Sequence, residues 1–321
     1  MPSRVLVRLC VLVVLTGVVQ AQTQSADSFE KGRQLAIETV SPQPDGLRVQ
    51  ADGPFYGYLI AEGDSWFAYP GLDVLAAFER HTLPDGGYYK VYSAASAGDT
   101  VESMAYDDEQ LRAFAREFGK VRDAGKQSQV KAILLSGGGN DLAGSEFFMV
   151  LNHSRAVATG ALDDAVADAL VDRVARSVES LIGSAVGFTH DVLQLPNVPV
   201  IIHGYSLAVP DGRPYGIGGP FPGPWLQPGF TAKGYSSGTM ADLQRNTEVM
   251  AQLIRKFNRR LASIPAKLAG RADVRYVDLT GVLNNTIPAN RYKQDWSNEL
   301  HPTDSGFVRV AAAFHRAIVG H

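Results

Sequence analysis

The chain is poor in cysteine and in long hydrophobic runs, and each scarcity removes classes of protein. Its single cysteine, Cys10, lies in an N-terminal leader, so disulfides, thiol catalysis and cysteine metal sites are not expected in the mature protein. No segment reaches the roughly 18 continuous apolar residues that indicate a transmembrane helix. The formal net charge is only −3, which gives no reason to expect nucleic acid or an anionic membrane as a partner.

The first residues have the pattern of a secretory signal peptide. Arg4 and Arg8 precede an apolar stretch, Leu9 to Val19, and the small residue Ala21 ends the pattern. We expect residues 1–21 to be removed and the mature protein to be secreted or periplasmic. Residues 22–55 show no sustained periodicity and contain a turn-rich Pro and Gly segment, which predicts an N-terminal arm lying on the main domain, residues 56–321.

From residue 58 onward, short apolar runs alternate with segments of helical periodicity. Strands alternating with long helices predict an α/β fold with a parallel sheet covered on both faces. The predicted strands are 58–61, 88–93, 130–135, 198–203 and 274–279, and the main predicted helices are 72–78, 107–124, 163–186, 240–265 and 307–318. In the third of these helices, the expected buried stripe consists of Val166, Leu170, Val174, Val178 and Leu181.

Residues 205–236 interrupt this alternation. The segment is too rich in proline for a helix and too aromatic for a plain linker. It is either a lid or substrate platform that follows a strand, or a compact loop that packs its own aromatic side chains. Its aromatic residues are Tyr205, Tyr215, Phe221, Trp225, Phe230 and Tyr235.

Four polar or glycine positions follow predicted strands or lie in the last loop. They are Ser65, Gly98, Asn140 and His301, and the carboxyl ends of parallel strands would bring them to one edge of the sheet. Taken singly each has an ordinary structural reading, since a Gly-Asp-Ser turn and an Asn after glycines are common ends of strands. Their order along one chain favours a shared site.

These residues give the chain a resemblance to the SGNH, or GDSL-type, hydrolases. Gly63-Asp64-Ser65, followed by Trp66, is similar to the nucleophile block, and Gly98-Asp99-Thr100 to the glycine block. Gly138 to Asp141 is similar to the Gly-x-Asn-Asp block, and His301-Pro302 to the histidine block. The resemblance, from about residue 57 to the C-terminus, implies a three-layer, flavodoxin-like α/β/α fold with a five-stranded parallel sheet, and the leader makes this an exported member.

The resemblance also implies a role for each residue. Ser65 would be the nucleophile and His301 its general base, while the amides of Ser65 and Gly98 and the side chain of Asn140 would form the oxyanion hole. Asp64 and Asp141 are expected to hold loops. Three aromatic residues are candidates for substrate binding, namely Trp66, Phe221 and Trp225. The histidines show no metal-ligand spacing, so neither a metal nor another cofactor is expected.

One position departs from the family pattern. The family usually has an aspartate three residues before the histidine, and this chain has Asn298 there. A neutral amide can orient an imidazole but cannot balance its charge. The sequence therefore favours a Ser-His dyad oriented by Asn298, with a backbone carbonyl or a nearby acid, Asp295 or Glu299, as the alternatives.

The leading hypothesis is a secreted esterase that acts on a small-molecule, lipid or carbohydrate ester. A non-catalytic protein that binds a glycan or lipid on the same fold is one alternative, and the Asn298 departure supports it modestly. Acyl transfer to a sugar instead of to water is another, because it would use the same residues.

Overall fold

The computed structural model describes residues 53–156, 160–216 and 223–320. The chain divides into two compact units, of which the larger spans 49–213 and 224–321 and carries the whole sheet. The described residues of the smaller unit are 214–216 and 223. The predicted signal peptide and nearly all of the predicted arm lie outside the described residues.

The larger unit is built on five parallel strands in the order β2-β1-β3-β4-β5, which confirms the predicted fold. This is the flavodoxin-like order, in which ligands bind beyond the carboxyl ends of β1 and β3, where the chain changes direction across the sheet. The strands are β1 (Phe55–Gly63), β2 (Tyr88–Ser93), β3 (Val130–Ser136), β4 (Val200–His203) and β5 (Val274–Val277).

The helices cover both faces of the sheet and form two sets by their contacts. The first and last helices pack together, and the second, third, sixth and eighth form the other set. In chain order the helices are α1 (Val74–Glu79), α2 (Val101–Tyr106), α3 (Asp108–Asp123), α4 (Gly139–Leu142), α5 (Ser145–Val150), α6 (Asp164–Asp191), α7 (Gln227–Ala232), α8 (Met240–Ala262), α9 (Ile264–Leu268) and α10 (Asp304–Val319).

Polar residues define where the longer helices begin. Thr239 and Asp242 form a reciprocal capping box at the start of α8, and the side chain of Thr303 caps α10 by accepting from Gly306 N. The predicted helix 240–265 ends at Ala262 because Pro265 lacks the N–H that would continue it, and α9 begins separately. The cap at Thr303 fixes the chain two residues after His301.

Two expectations from the sequence were wrong. Val166 is 41% exposed, because a spacing of four residues drifts around a helix of 3.6 residues per turn and leaves this first-turn residue at the edge of the stripe. The segment 205–236, judged too rich in proline for a helix, contains α7, with Pro228 in its first turn, where its missing N–H costs nothing.

The core lies between the sheet and the two sets of helices. β1 lies between β2 and β3, and its residues 57–63 are all buried, as expected for a parallel strand covered on both faces. Over residues 53–156, 160–216 and 223–320, no helix is long and apolar enough to cross a membrane.

Candidate active site

The end of β1 places Ser65 at the edge of the sheet. Gly63 packs so closely on β3 that a Cβ atom there would lie 2.8 Å from the Cβ of Ser136, so glycine is needed for the two strands to end side by side. Asp64 N donates to Ser136 O at 3.1 Å. Ser65, directly afterwards, is 7% exposed, and its Oγ lies 2.8 Å from Nε2 of His301.

Asp64 holds this turn through both carboxylate oxygens. Oδ1 accepts from Trp66 N at 3.0 Å and from Ser136 Oγ at 2.7 Å. Oδ2 accepts from the Tyr205 hydroxyl at 2.5 Å. Asp64 is 1% exposed, and its three donors come from the turn, from the end of β3 and from the residues after β4, in keeping with the loop-holding role expected for it.

The loop before α10 carries His301 and Asn298 as a unit. Asn298 Oδ1 lies 2.9 Å from His301 Nδ1 and also accepts from the backbone N–H groups of Leu300 and His301, at 3.0 and 2.9 Å. Two N–H donors require that this atom be the oxygen of the amide. His301 Nδ1 must therefore carry the proton, and Nε2 is left with a lone pair to accept from the Ser65 hydroxyl.

The surroundings of His301 are aromatic. The Tyr69 ring stacks on the imidazole with centroids 4.4 Å apart and 27° between the planes, and Trp225 meets it edge-on at 5.5 Å and 75°. Burial lowers the pKa of His301 to about 3. The imidazole is therefore neutral, and able to accept a proton, over most of the pH range.

The two alternative acids are engaged elsewhere. Asp295 accepts from Arg309 and from Asn284 N. Glu299 is fully buried, and its carboxylate accepts four backbone N–H bonds, from Gly212, Trp225, Leu226 and Gln227, at 2.6–2.9 Å. It ties the chain before α7 to the histidine loop, and the atom that faces His301 Nδ1 belongs to Asn298.

The expected oxyanion donors lie on loops that are bonded to one another. Ser96 N donates to Gly63 O at 2.9 Å, and Asn140 Nδ2 donates to Asp99 O at 2.9 Å. Gly98, with a φ of 92°, lies between these two anchors. Ser65 and Asn140 also line one cavity. The structure thus gathers the three residues beyond the ends of β1, β2 and β3.

Neighbouring glycine and aspartate residues fix the position of Asn140. Gly138 has a φ of 107°, and a Cβ there would lie 2.3 Å from the Phe257 ring, so only glycine fits. Asp141 accepts from the N–H groups of Val101 and Glu102 at the start of α2. Asp141 therefore holds a loop, as expected.

The predicted substrate-binding residues have different positions. Trp66 is 3% exposed, donates to Leu300 O and lines the same cavity as Ser65. Trp225 lies against His301, and Phe221 lies outside the described residues. In the same segment Phe230 packs against Tyr235 and against Phe147 of α5, so one part of the segment faces the site and another packs on the fold.

Sequence reasoning missed two contributors. Tyr69 has no motif, and it reaches the site through contacts with His301 and Asn298, which lie far along the chain. Glu299 was considered as a partner of His301, but its four backbone bonds come from a segment more than 70 residues earlier. Neither relation has a signal in the local sequence.

A family model described as GDSL-like lipase/acylhydrolase matches residues 56–314. Among solved structures, the chain is similar to a lipase from a goat rumen metagenome, at 14% identity and a TM-score of 0.47, over 81% of this chain and 97% of that one. It is also similar to a GDSL-like lipase from Bacteroides thetaiotaomicron, at 14% identity and a TM-score of 0.41, over 83% and 89% of the two chains. A psychrotrophic esterase from a Pseudoalteromonas species is similar at 10% identity and a TM-score of 0.41, over 82% and 97%. No curated protein sequence matches.

The family model covers most of the chain, including all four blocks noted in the sequence. It confirms the resemblance drawn from Ser65, Gly98, Asn140 and His301. The chain belongs to the GDSL-like lipase/acylhydrolase family.

Proposed function

We propose that the protein is a carboxylic ester hydrolase that works through an acyl-enzyme on Ser65. The observation that carries the proposal is the 2.8 Å contact between Ser65 Oγ and a His301 Nε2 that is free of its proton. Asn298, bound at Nδ1, sets that tautomer. A serine hydroxyl needs such a base to become a useful nucleophile.

The proposed reaction has two halves. In the first, His301 Nε2 takes the Ser65 proton while Oγ attacks the ester carbonyl, and the resulting oxyanion is stabilised by the amides of Ser65 and Gly98 and by Asn140. The intermediate collapses, and the proton on Nε2 passes to the leaving alcohol. In the second half, His301 takes a proton from water as the water oxygen attacks the acyl-enzyme. The bond to Ser65 Oγ then breaks, the acid leaves, and the proton passes from His301 Nε2 to Ser65 Oγ.

Asn298 supports this cycle without a charge. When Nε2 is protonated, Nδ1–H continues to donate to Asn298 Oδ1, so the ring keeps its orientation through both halves of the reaction. In serine proteases, asparagine in place of the triad aspartate lowers turnover about 10⁴-fold, a loss that includes the wrong tautomer. Here the N–H groups of Leu300 and His301 hold the amide oxygen toward the ring. The imidazole therefore keeps the correct tautomer, and the share of the loss in turnover caused by the wrong tautomer does not arise.

We also propose that the protein is exported after removal of residues 1–21. The basic, apolar and small-residue regions of the leader support this. Intact mass of the protein secreted by an expression host, with an N-terminus at Gln22, is the direct test.

The enzymatic test uses residues 22–321 and a chromogenic acetate ester. The parent should hydrolyse the ester and gain one fluorophosphonate adduct by intact mass, and Ser65→Ala should lose both. Ser263→Ala, at an exposed serine capping the far end of α8, is the matched control and should keep both. No turnover and no adduct from a folded parent would refute the proposal and favour a binding protein, and product appearing on an added alcohol would indicate acyl transfer.

A further inference from the structure

A small cavity opens beside Ser65 and Asn140. The Tyr205 hydroxyl donates to Asp64, Ser206 Oγ donates to Leu279 O, and Trp66 Nε1 donates to Leu300 O. Trp296, also in the wall, has an Nε1 with no hydrogen-bond partner among the described residues. The rest of the wall is largely apolar. Its apolar residues include Leu142, Ala143, Leu226, Met250, Ile254 and Phe257.

The position of the cavity identifies which half of an ester it would receive. His301 Nε2 must reach the oxygen of the leaving alcohol in order to protonate it, so the alcohol lies on the histidine side of Ser65. Among the described residues, the cavity wall includes Ser65 and Asn140, and Trp296 and Leu300 from the loop before α10. It includes neither the His301 ring nor the Tyr69 ring that covers it. The cavity therefore lies on the acyl side of the scissile bond.

The size of the cavity sets the length of that group. The space open to the centre of a water-sized group is about 50 Å³. One group of the size of a water molecule needs about 10–15 Å³ of this space, so the cavity holds about three to five groups of that size. Three of the wall residues, Met250, Ile254 and Phe257, are buried side chains of one helix, α8.

We propose that this cavity is an acyl-binding pocket that limits the enzyme to short acyl groups, from acetyl to about butyryl. The inference rests on the proposed ester hydrolysis and names its substrate class. A hydrocarbon tail fits the largely apolar wall, whereas a sugar has several hydroxyls and would lose most of its hydrogen bonds to water there, since Trp296 Nε1 is a single donor. Esters with acyl chains of eight or more carbons do not fit.

The test is a chain-length series of p-nitrophenyl esters with two, four, six and eight acyl carbons. We expect kcat/KM to be highest at two to four carbons and at least about 10-fold lower at eight, since one badly placed methylene is worth about that factor. Met250→Ala should move the optimum toward longer chains. Ala143→Val, at a position of extended backbone that accepts valine, should lower the butyrate-to-acetate ratio.

Leu253→Ala is the matched control. Leu253 is equally buried in α8 but does not line the cavity, so its substitution should reduce stability and leave the chain-length ratio unchanged. If kcat/KM is independent of acyl-chain length or highest for eight carbons, and the fluorophosphonate adduct still forms, the proposed acyl pocket is refuted but the proposed ester hydrolysis is not. Absence of both the adduct and acetate hydrolysis would instead refute the proposed function.

A separate observation concerns Tyr69. Its ring covers one face of His301, and its hydroxyl accepts from Asn298 Nδ2 at 3.1 Å. The Asn298 amide is thus held at both ends, by two backbone N–H groups on the oxygen and by Tyr69 on the nitrogen. An aromatic face attracts a cation, and the imidazole becomes a cation only when it has taken the serine proton.

We infer that Tyr69 is a positioning residue that replaces part of the missing carboxylate. It fixes the amide that orients His301 and stabilises the imidazolium through its ring. The Tyr69 ring stabilises His301 only after the imidazole has become positively charged in the reaction. Its contribution therefore raises kcat and does not change binding of the substrate. The inference rests on the proposed hydrolysis.

Two substitutions separate the hydroxyl from the ring. Tyr69→Phe keeps the stack and should lower kcat several-fold, whereas Tyr69→Leu loses both contacts and should lower it further, by about 2- to 30-fold beyond Tyr69→Phe. KM should stay within about a factor of two. Tyr106→Leu, at a largely exposed tyrosine in α2, is the control. A raised KM with unchanged kcat would show that Tyr69 only contacts substrate and would overturn the inference.

Discussion

Among the described residues, the group that faces His301 Nδ1 is the neutral amide of Asn298, and this predicts an acid-tolerant enzyme. Burial lowers the pKa of His301 to about 3, compared with about 6.5 for an exposed histidine, and Asn298 contributes no negative charge to reverse this. The acid limb of kcat/KM reports the free enzyme's base. Activity should therefore persist well below pH 6 and fall only as pH approaches 3, wherever the fold survives.

Asn298→Asp is the perturbation that tests this reasoning. Aspartate has the same shape, can accept from the same three N–H groups, and can accept from the Tyr69 hydroxyl with its second oxygen. An opposite charge about 4 Å away is worth about 4 kcal/mol at an effective dielectric constant of 20, which is an upper limit of ~3 pH units. Neighbouring charges commonly shift a pKa by about 1–3 units, so the acid limb should move upward by that amount.

The assay is kcat/KM for a short ester from pH 3 to 9, with circular dichroism at each pH to confirm folding. Asn298→Ala is the companion variant. It loses the group that fixes the tautomer, so its turnover should fall by about 100- to 10,000-fold. A parent acid limb near pH 6.5, or one that Asn298→Asp leaves in place, would refute the account of His301, and an active Asn298→Ala would assign the orienting role to another group.

Three further predictions concern stability. Burial raises the pKa of Glu62 to about 8, above its unfolded value of about 4.3. The folded state therefore holds the extra proton between these values, and stability falls as pH rises through the window by at most ~1.4 kcal/mol per unit. Glu62→Gln should flatten that slope in urea unfolding at pH 5 and pH 8, and an unchanged slope would contradict it. Glu299→Gln places amide hydrogens against backbone N–H donors and should cost about 2–5 kcal/mol of unfolding free energy by urea titration, whereas a loss below 1 kcal/mol would show that the four bonds are not needed. Gly138→Ala meets the Phe257 ring at positive φ and should cost about 1–3 kcal/mol while lowering kcat, and Gly183→Ala, exposed in α6 with open space around it, should instead stabilise by roughly 0.5–1 kcal/mol.

The fold was largely readable from the sequence because its signals are local. Apolar runs of strand length and helical stripes depend on neighbours within one element, and the second strand, 88–93, was predicted with its observed bounds. Errors arose where a local pattern was read too far. The predicted stripe was extended in steps of four residues as far as Val166, which lies beyond its edge. The proline content of 205–236 was taken to exclude a helix, whereas Pro228 lies in the first turn of α7.

The sequence also determined which residues could form the site. Ser65, Gly98 and Asn140 follow strands of one parallel sheet, and His301 lies in the last loop before the final helix. The sequence left open how His301 is oriented, because three candidates lie within six residues of it and a sequence does not show which side chain faces Nδ1. Tertiary structure decided this. Glu299 accepts from the backbone of the chain before α7, and Asp295 accepts from Arg309. Of the three candidate side chains, Asn298 is the one that faces Nδ1, and its amide is held by backbone N–H groups and by Tyr69, which is distant in sequence. These choices depend on which groups compete for each hydrogen bond, and that competition exists only once distant segments are packed together.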